Sequence, residues 1–145
     1  MSMNYYLCRE TLPQRWGTSL QYIEFDGSAV DGLYMLHLCK VTGTWKTLFQ
    51  ATPMFKTFEQ LIGECARSIA EGAVIKDEYG TVVSLEAFKA DVLDYEKCKK
   101  GKTIQSGVEF VMPISHIEYV QRFNLNGDSY TIDNLGKEFT SSVFS

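Results

Sequence analysis

The chain has 145 residues, 45% of them hydrophobic and 22% charged. That size and balance suit one domain with a real core and are too apolar for a disordered chain. Its formal charge of −4, from 14 basic against 18 acidic residues, argues against a nonspecific nucleic-acid binder, whose affinity rests on neutralising phosphates.

Residues 3–8 read as a first strand, because tyrosine and leucine favour a pleated, half-buried surface. Residues 12–17, punctuated by Pro13 and Gly17, read as a loop. A second strand is expected over residues 20–25, although its polarity does not choose a buried face, and Asp26-Gly27 then gives a turn. Residues 33–41 form the most hydrophobic run of the first half. A central strand fits them, though periodicity alone leaves a short buried helix open. Gly43 breaks this run, and Trp45, Leu48 and Phe49 follow in a segment that the pattern leaves unassigned.

The clearest start signal is Thr57-Phe58-Glu59-Gln60. Thr57 can cap a helix while Gln60, three residues on, reaches back. Phe58, Leu61, Ile62, Cys65 and Ile69 then make the apolar stripe of an amphipathic helix, and Gly72 stands where a glycine would stop it. Residues 73–83 place Val74-Ile75 and Val82-Val83 around a turn at residues 77–80, a short hairpin. Ser84 caps a second helix whose apolar side is Leu85, Phe88, Val92 and Tyr95, ending in the run Lys97, Lys99, Lys100 and Lys102. Strands are expected over residues 108–114, with Pro113 at an edge or terminus, and over residues 117–125. Asn126-Gly127 is the strongest hairpin cue in the chain, with Tyr130 and Ile132 on the return strand. Leu135, Phe139, Val143 and Phe144 make the tail too apolar to float free. The fold class that follows is α+β. A single-layer, mainly antiparallel sheet of about five to seven short strands packs against two helices, in one domain over residues 1–145.

No run of 18 apolar residues occurs, and the first residues lack the apolar stretch of a secretory signal, so a soluble, cytoplasmic chain without membrane association is expected. Cys8, Cys39, Cys65 and Cys98 are spaced by 31, 26 and 33 residues. They offer no compact metal knuckle, so free thiols and no structural zinc are expected. No GxGxxG or GxxxxGK[ST] pattern is present, so no cofactor is implied. The lysine run has no interleaved aromatic for base stacking and reads as a solvated loop.

His37 and Cys39, two residues apart in a strand-like run, would share a face and could form a Cys-His pair, although no third orienting group is in view. His116 and Glu118 share the same offset but lack further ligands for a metal. The residues from Glu59 to Glu96 hold nine acids against Arg67, Lys76 and Lys89, a formal charge of −6. Within this segment Asp77, Glu78, Asp91 and Asp94, with Tyr79 as an aromatic anchor, are the candidate protein-binding residues for a basic partner. The leading expectation is therefore a non-enzymatic protein-binding protein, in its sharpest form an inhibitor or immunity protein that occludes a basic toxin or nuclease. The alternatives are a small hydrolase or nuclease-like enzyme using His37 with Cys39 or a carboxylate, and a ligand-binding or nucleic-acid-associated accessory domain.

Overall fold

A computed structural model describes residues 2–27, 32–42, 46–98, 102–105, 108–111 and 129–144. Strand β1 (Ser2–Arg9) pairs along its length with β3 (Leu33–Thr42), and both runs are the apolar stretches that the sequence marks as strands. On its other edge β1 takes β5 (Val74–Asp77), which turns into β6 (Val82–Val83) through Gly80 at φ 84°. The free edge of β3 is shared. Its N-terminal half takes β2 (Ile23–Asp26), and Cys39 and Lys40 take β4 (Leu48–Gln50). Beyond β4 lie β10 (Glu138–Thr140), paired parallel to it, and β9 (Tyr130–Ile132). The result is an eight-stranded, mostly antiparallel sheet with order β6-β5-β1-β3-β4-β10-β9 and β2 beside β3. Strands β7 (Lys102–Gln105) and β8 (Val108–Val111) form a separate two-stranded sheet.

One irregularity decides which side chains lie on which face. Tyr5 pairs with Cys39, but the next residue, Tyr6, pairs with His37, so Leu38 is an extra residue in the ladder. Such a bulge shifts the alternation of side chains by one. Tyr5, Cys39, Phe49 and Phe139 are successive Cα partners across four strands and share one face. Helix α2 (Leu85–Cys98) touches that row through Phe88, set edge-on to Tyr5 at 5.2 Å. Helix α1 (Phe58–Ala70) touches it through Phe58, edge-on to Phe49 at 5.4 Å. Both helices therefore cover one side of the sheet, with Leu7, Leu61, Cys65, Ile75 and Phe88 at 0% exposure between them. His37 falls on the opposite side.

The two caps act as their residue types dictate. Thr57 Oγ1 accepts from Gln60 N at 3.2 Å, while the Gln60 side chain reaches back to Lys56 N, one residue beyond the Thr57 N–H of the reciprocal box. A second cap was not legible locally: Asp133, from the β9–β10 turn, accepts from Phe58 N at 2.8 Å. Ser84 Oγ accepts from Ala87 N at 3.0 Å at the start of α2. Gly72, at φ 103°, ends the first helix as expected.

Several expectations need correction. Residues 12–17 are not a loop, and residues 20–25 are not one strand. A 3-10 helix (Gln14–Tyr22) begins just after Pro13, whose carbonyl accepts from Trp16 N at 3.0 Å, and strand starts only at Ile23. Of the tail residues, Phe139 is fully buried, but Leu135 is 58% exposed and Val143 64%. Lys102 opens β7 and is not part of a terminal loop. Trp45, Pro113, His116, Glu118, the strand expected over residues 117–125 and the Asn126-Gly127 turn lie outside the described residues. Among the described residues no helix is long and apolar enough to cross a membrane.

Candidate functional site

Three of the acidic residues singled out in the sequence, Asp77, Glu78 and Asp91, converge on the first residues of β1. Asp77, at the end of β5, pairs in register with Tyr5. Its Oδ1 accepts from Tyr79 N at 2.9 Å and Thr81 N at 3.0 Å, which fixes the turn. Glu78 Oε1 accepts from Asn4 N at 2.9 Å. Asp91, one turn beyond Phe88 on α2, accepts a short hydrogen bond from the Tyr5 hydroxyl. Burial, this bond to Asp91 and the negative charges around it hold the Tyr5 phenol far above its ordinary range, so it stays protonated and keeps donating. The four candidate acids are thus not one free rim. Asp77 holds the turn and Asp91 secures α2 to the sheet. Asp94 lies in α2, but its side chain is outside the described residues.

Tyr79 stands apart from them. At the tip of the hairpin it is 73% exposed, and Val82 on the edge strand is 58% exposed. The ring projects from a backbone held on both sides of it by Asp77, with Gly80 N also bonded to Asp77 O at 3.0 Å. On a turn whose backbone is already ordered, only the side-chain torsions of the tyrosine are left to lose on binding.

The second candidate is His37. The bulge at Leu38 places it opposite Cys39, whose partners Tyr5 and Phe49 face the helices. The shared face assumed for a Cys-His pair does not exist. His37 is 6% exposed, and both ring nitrogens are occupied, Nδ1 at 3.1 Å from Gln50 Oε1 and Nε2 at 2.9 Å from Asn4 Oδ1. Burial lowers its pKa from the ordinary 6.5, against a smaller opposing contribution from the Gln50 bond. The ring is clasped and not aimed at a substrate. A cavity of about 30 Å³ adjoins it, lined by Tyr6, Tyr22, Glu24 and Phe144 among others, with room for about one water. Nothing in the sequence marks Asn4 and Gln50 as its partners, because they come from strands 33 and 13 residues away.

Of the cysteines, Cys8, Cys39 and Cys65 are free and buried. Burial pushes the Cys8 thiol up to about 11 and the Cys65 thiol up to about 12, so neither supplies a thiolate nucleophile near neutral pH. Among the described residues no group of three His, Cys, Asp or Glu side chains could hold a metal ion. An open groove of about 770 Å³ runs between the Thr52–Thr57 connection and the β9–β10 turn. Its one carboxylate, Asp133, is spent on the backbone N–H groups of Phe58, Leu135 and Lys137. No protein-family model, curated protein or solved structure matches this chain.

Proposed function

We propose that the chain is a non-enzymatic protein-binding protein whose hairpin tip, with Tyr79 as anchor and Glu78 beside it, contacts a basic partner. An inhibitor or immunity role, occluding a basic toxin or nuclease, is the form of this reading that best uses the acidic segment from Glu59 to Glu96. The observation that carries it is the large exposed ring of Tyr79 on a turn locked by Asp77. Interfaces draw much of their energy from such anchors, while nearby charges speed encounter and select the partner. The clasped His37 and the separation of Cys39 from it speak against the Cys-His form of the enzymatic alternative and so favour this reading.

The test spares Asp77 and Asp91, which hold the turn and α2, and because Glu78 also accepts from Asn4 N, the variant carrying Glu78→Lys counts only once its fold is shown intact. Proteins captured from an extract of the source cells by wild type are compared with those held by Tyr79→Ala and by Glu78→Lys with Asp94→Lys. The expected outcome is one basic partner retained by wild type and lost on raising salt, with affinity down by about 30-fold or more in Tyr79→Ala, the size of an anchor residue. Equal retention by wild type and both folded variants rejects the reading.

A further inference from the structure

The sheet forks at His37. Strand β2 leaves the edge of β3 at Leu36, and β4 joins it at Cys39, so the ring sits where the two neighbours diverge. The last described residues, 141–144, pass across this fork. Tyr22 Oη donates to Ser141 O at 2.6 Å. Gln50 Nε2 donates to Thr140 O at 3.1 Å and Ser142 O at 2.9 Å. Phe144 closes edge-on against the imidazole, with ring centroids 4.6 Å apart. The outward side of the segment is open: Ser141, Ser142 and Val143 are exposed.

Gln50 links this strap to His37. Because its amide nitrogen is committed to the carbonyls of Thr140, at the end of β10, and Ser142, in the strap, its oxygen must face the ring, and Nδ1 must donate to it. A neutral ring therefore carries its proton on Nδ1 and accepts at Nε2 from the Asn4 amide nitrogen. In the structure the Asn4 oxygen faces Nε2 at 2.9 Å, as a second proton there requires, and a half-turn of the amide supplies the nitrogen that the neutral ring needs. Both protonation states can be hydrogen-bonded, but the charged one is placed in a nearly closed site. The titratable and charged groups around it are few. Tyr6 comes from β1, Glu24 from β2, Lys40 from β3 and Tyr22 from the 3-10 helix, with Lys76 beside Tyr6 on β5. Glu24 is the one carboxylate lining the adjoining cavity, and the Lys40 charge opposes an imidazolium.

We infer that residues 141–144 form a proton-operated latch, closed over neutral His37 and released when the ring takes a second proton. Water reaches the imidazolium most easily by lifting this strap, which is exposed on its outer side and is held, besides the bonds from Tyr22 and Gln50, by Ser141 N to Ser129 O at 3.1 Å and Ser142 N to Thr140 Oγ1 at 3.2 Å. Local opening of such a segment costs far less than unfolding the domain. The direction follows from linkage. The closed form binds the proton more weakly than the open form, whose histidine titrates near 6.5, so the closed latch is favoured above that pH and loses ground as pH falls through it.

Amide hydrogen exchange over residues 141–144, corrected for intrinsic rates, tests this between about pH 7.5 and about pH 5.5. Wild-type protection is expected to fall several-fold over that interval, with about tenfold as the ceiling set by an open-form histidine at its ordinary pKa, while His37→Gln stays flat. Constant wild-type protection, or the same pH dependence in His37→Gln, overturns the inference. A second measurement covers a poorly folded His37→Gln chain. Because linkage is reciprocal, Phe144→Ala, which weakens the latch, should raise the midpoint of the His37 ring titration read by NMR. An unmoved midpoint equally overturns it.

Discussion

Glu64→Leu is expected to lower stability by about 1–3 kcal/mol, the cost of leaving a buried donor without its acceptor. Glu64, on α1, has a side chain only 10% exposed. It accepts from Arg15 Nε at 2.9 Å, Trp16 Nε1 at 2.6 Å and Ser68 Oγ at 3.2 Å. Removing it leaves the indole N–H of a fully buried tryptophan and a largely covered guanidinium without their acceptor. Arg15 would keep only Glu71 and Ser68, on the more open side of the cluster. Urea unfolding of Glu64→Leu against Arg15→Met and the double variant checks the account. If the charged cluster acts as one unit, the double variant costs clearly less than the sum of the singles. A loss below about 1 kcal/mol in Glu64→Leu would mean that the cluster is a solvated surface network.

The same cluster sets an acid limit. Arg15 and Arg9, both bonded to Glu71, hold its carboxyl down to about 2 from the ordinary 4.5. A carboxylate with a depressed pKa stabilises the fold fully above its unfolded value and progressively less as pH falls toward its folded value. The expected result is a decline in the urea midpoint between pH 4.5 and 2 that is shallower in Glu71→Gln. That window lies below the one in which His37 acts, so the two can be read separately.

Phe139→Ala should cost about 3–5 kcal/mol, as for other large aromatic side chains removed from a core. Phe139 is fully buried, stacked on Phe49 at 5.2 Å, and sits at the centre of the strand that joins β4 to β9. Leu135→Ser and Val143→Ser, in contrast, should change stability by no more than about 0.5 kcal/mol, because both side chains are exposed. Thermal or urea unfolding of the three variants separates this pattern from a uniformly docked tail. Similar losses in all three would show that residues 135 and 143 pack in solution. Loss of the chain from residue 135 onward removes β10 itself and should abolish cooperative unfolding.

That contrast shows where the sequence was informative. Leu135, Phe139, Val143 and Phe144 carry the same hydrophobic signal, yet only a strand at 138–140 decides which of them points inward. Local signals served well where the physics is local. Thr57 and Ser84 cap their helices, Gly72 and Gly80 take positive φ, and the apolar stripe through Phe58, Leu61 and Cys65 is buried. The 3-10 helix was missed because Pro13 and Gly17 resemble loop punctuation, whereas a proline also suits the entry to a helix. The bulge was not legible at all. One extra residue in an apolar run leaves composition unchanged and reverses the relation of His37 to Cys39. In the candidate site, the turn at Asp77 was readable from Asp-Glu-Tyr-Gly, whereas which tyrosines stay exposed was not, and only the fold leaves Tyr79 in solvent. The bonds from Asp91 to Tyr5 and from Glu78 to Asn4 join residues 86 and 74 positions apart, and no local pattern announces them.

The parallel pairing of β10 with β4 also has a consequence during synthesis. Leu48–Gln50 waits for Glu138–Thr140, about ninety residues later in the chain. A nascent polypeptide emerging at roughly 5–20 residues per second would hold that edge and the face of Phe49 uncovered for several seconds after β1, β3 and α1 could have assembled. Unpaired strand edges of this kind recruit other chains. Ribosome-bound intermediates ending before residue 138 should therefore be the stage at which this protein most depends on chaperones.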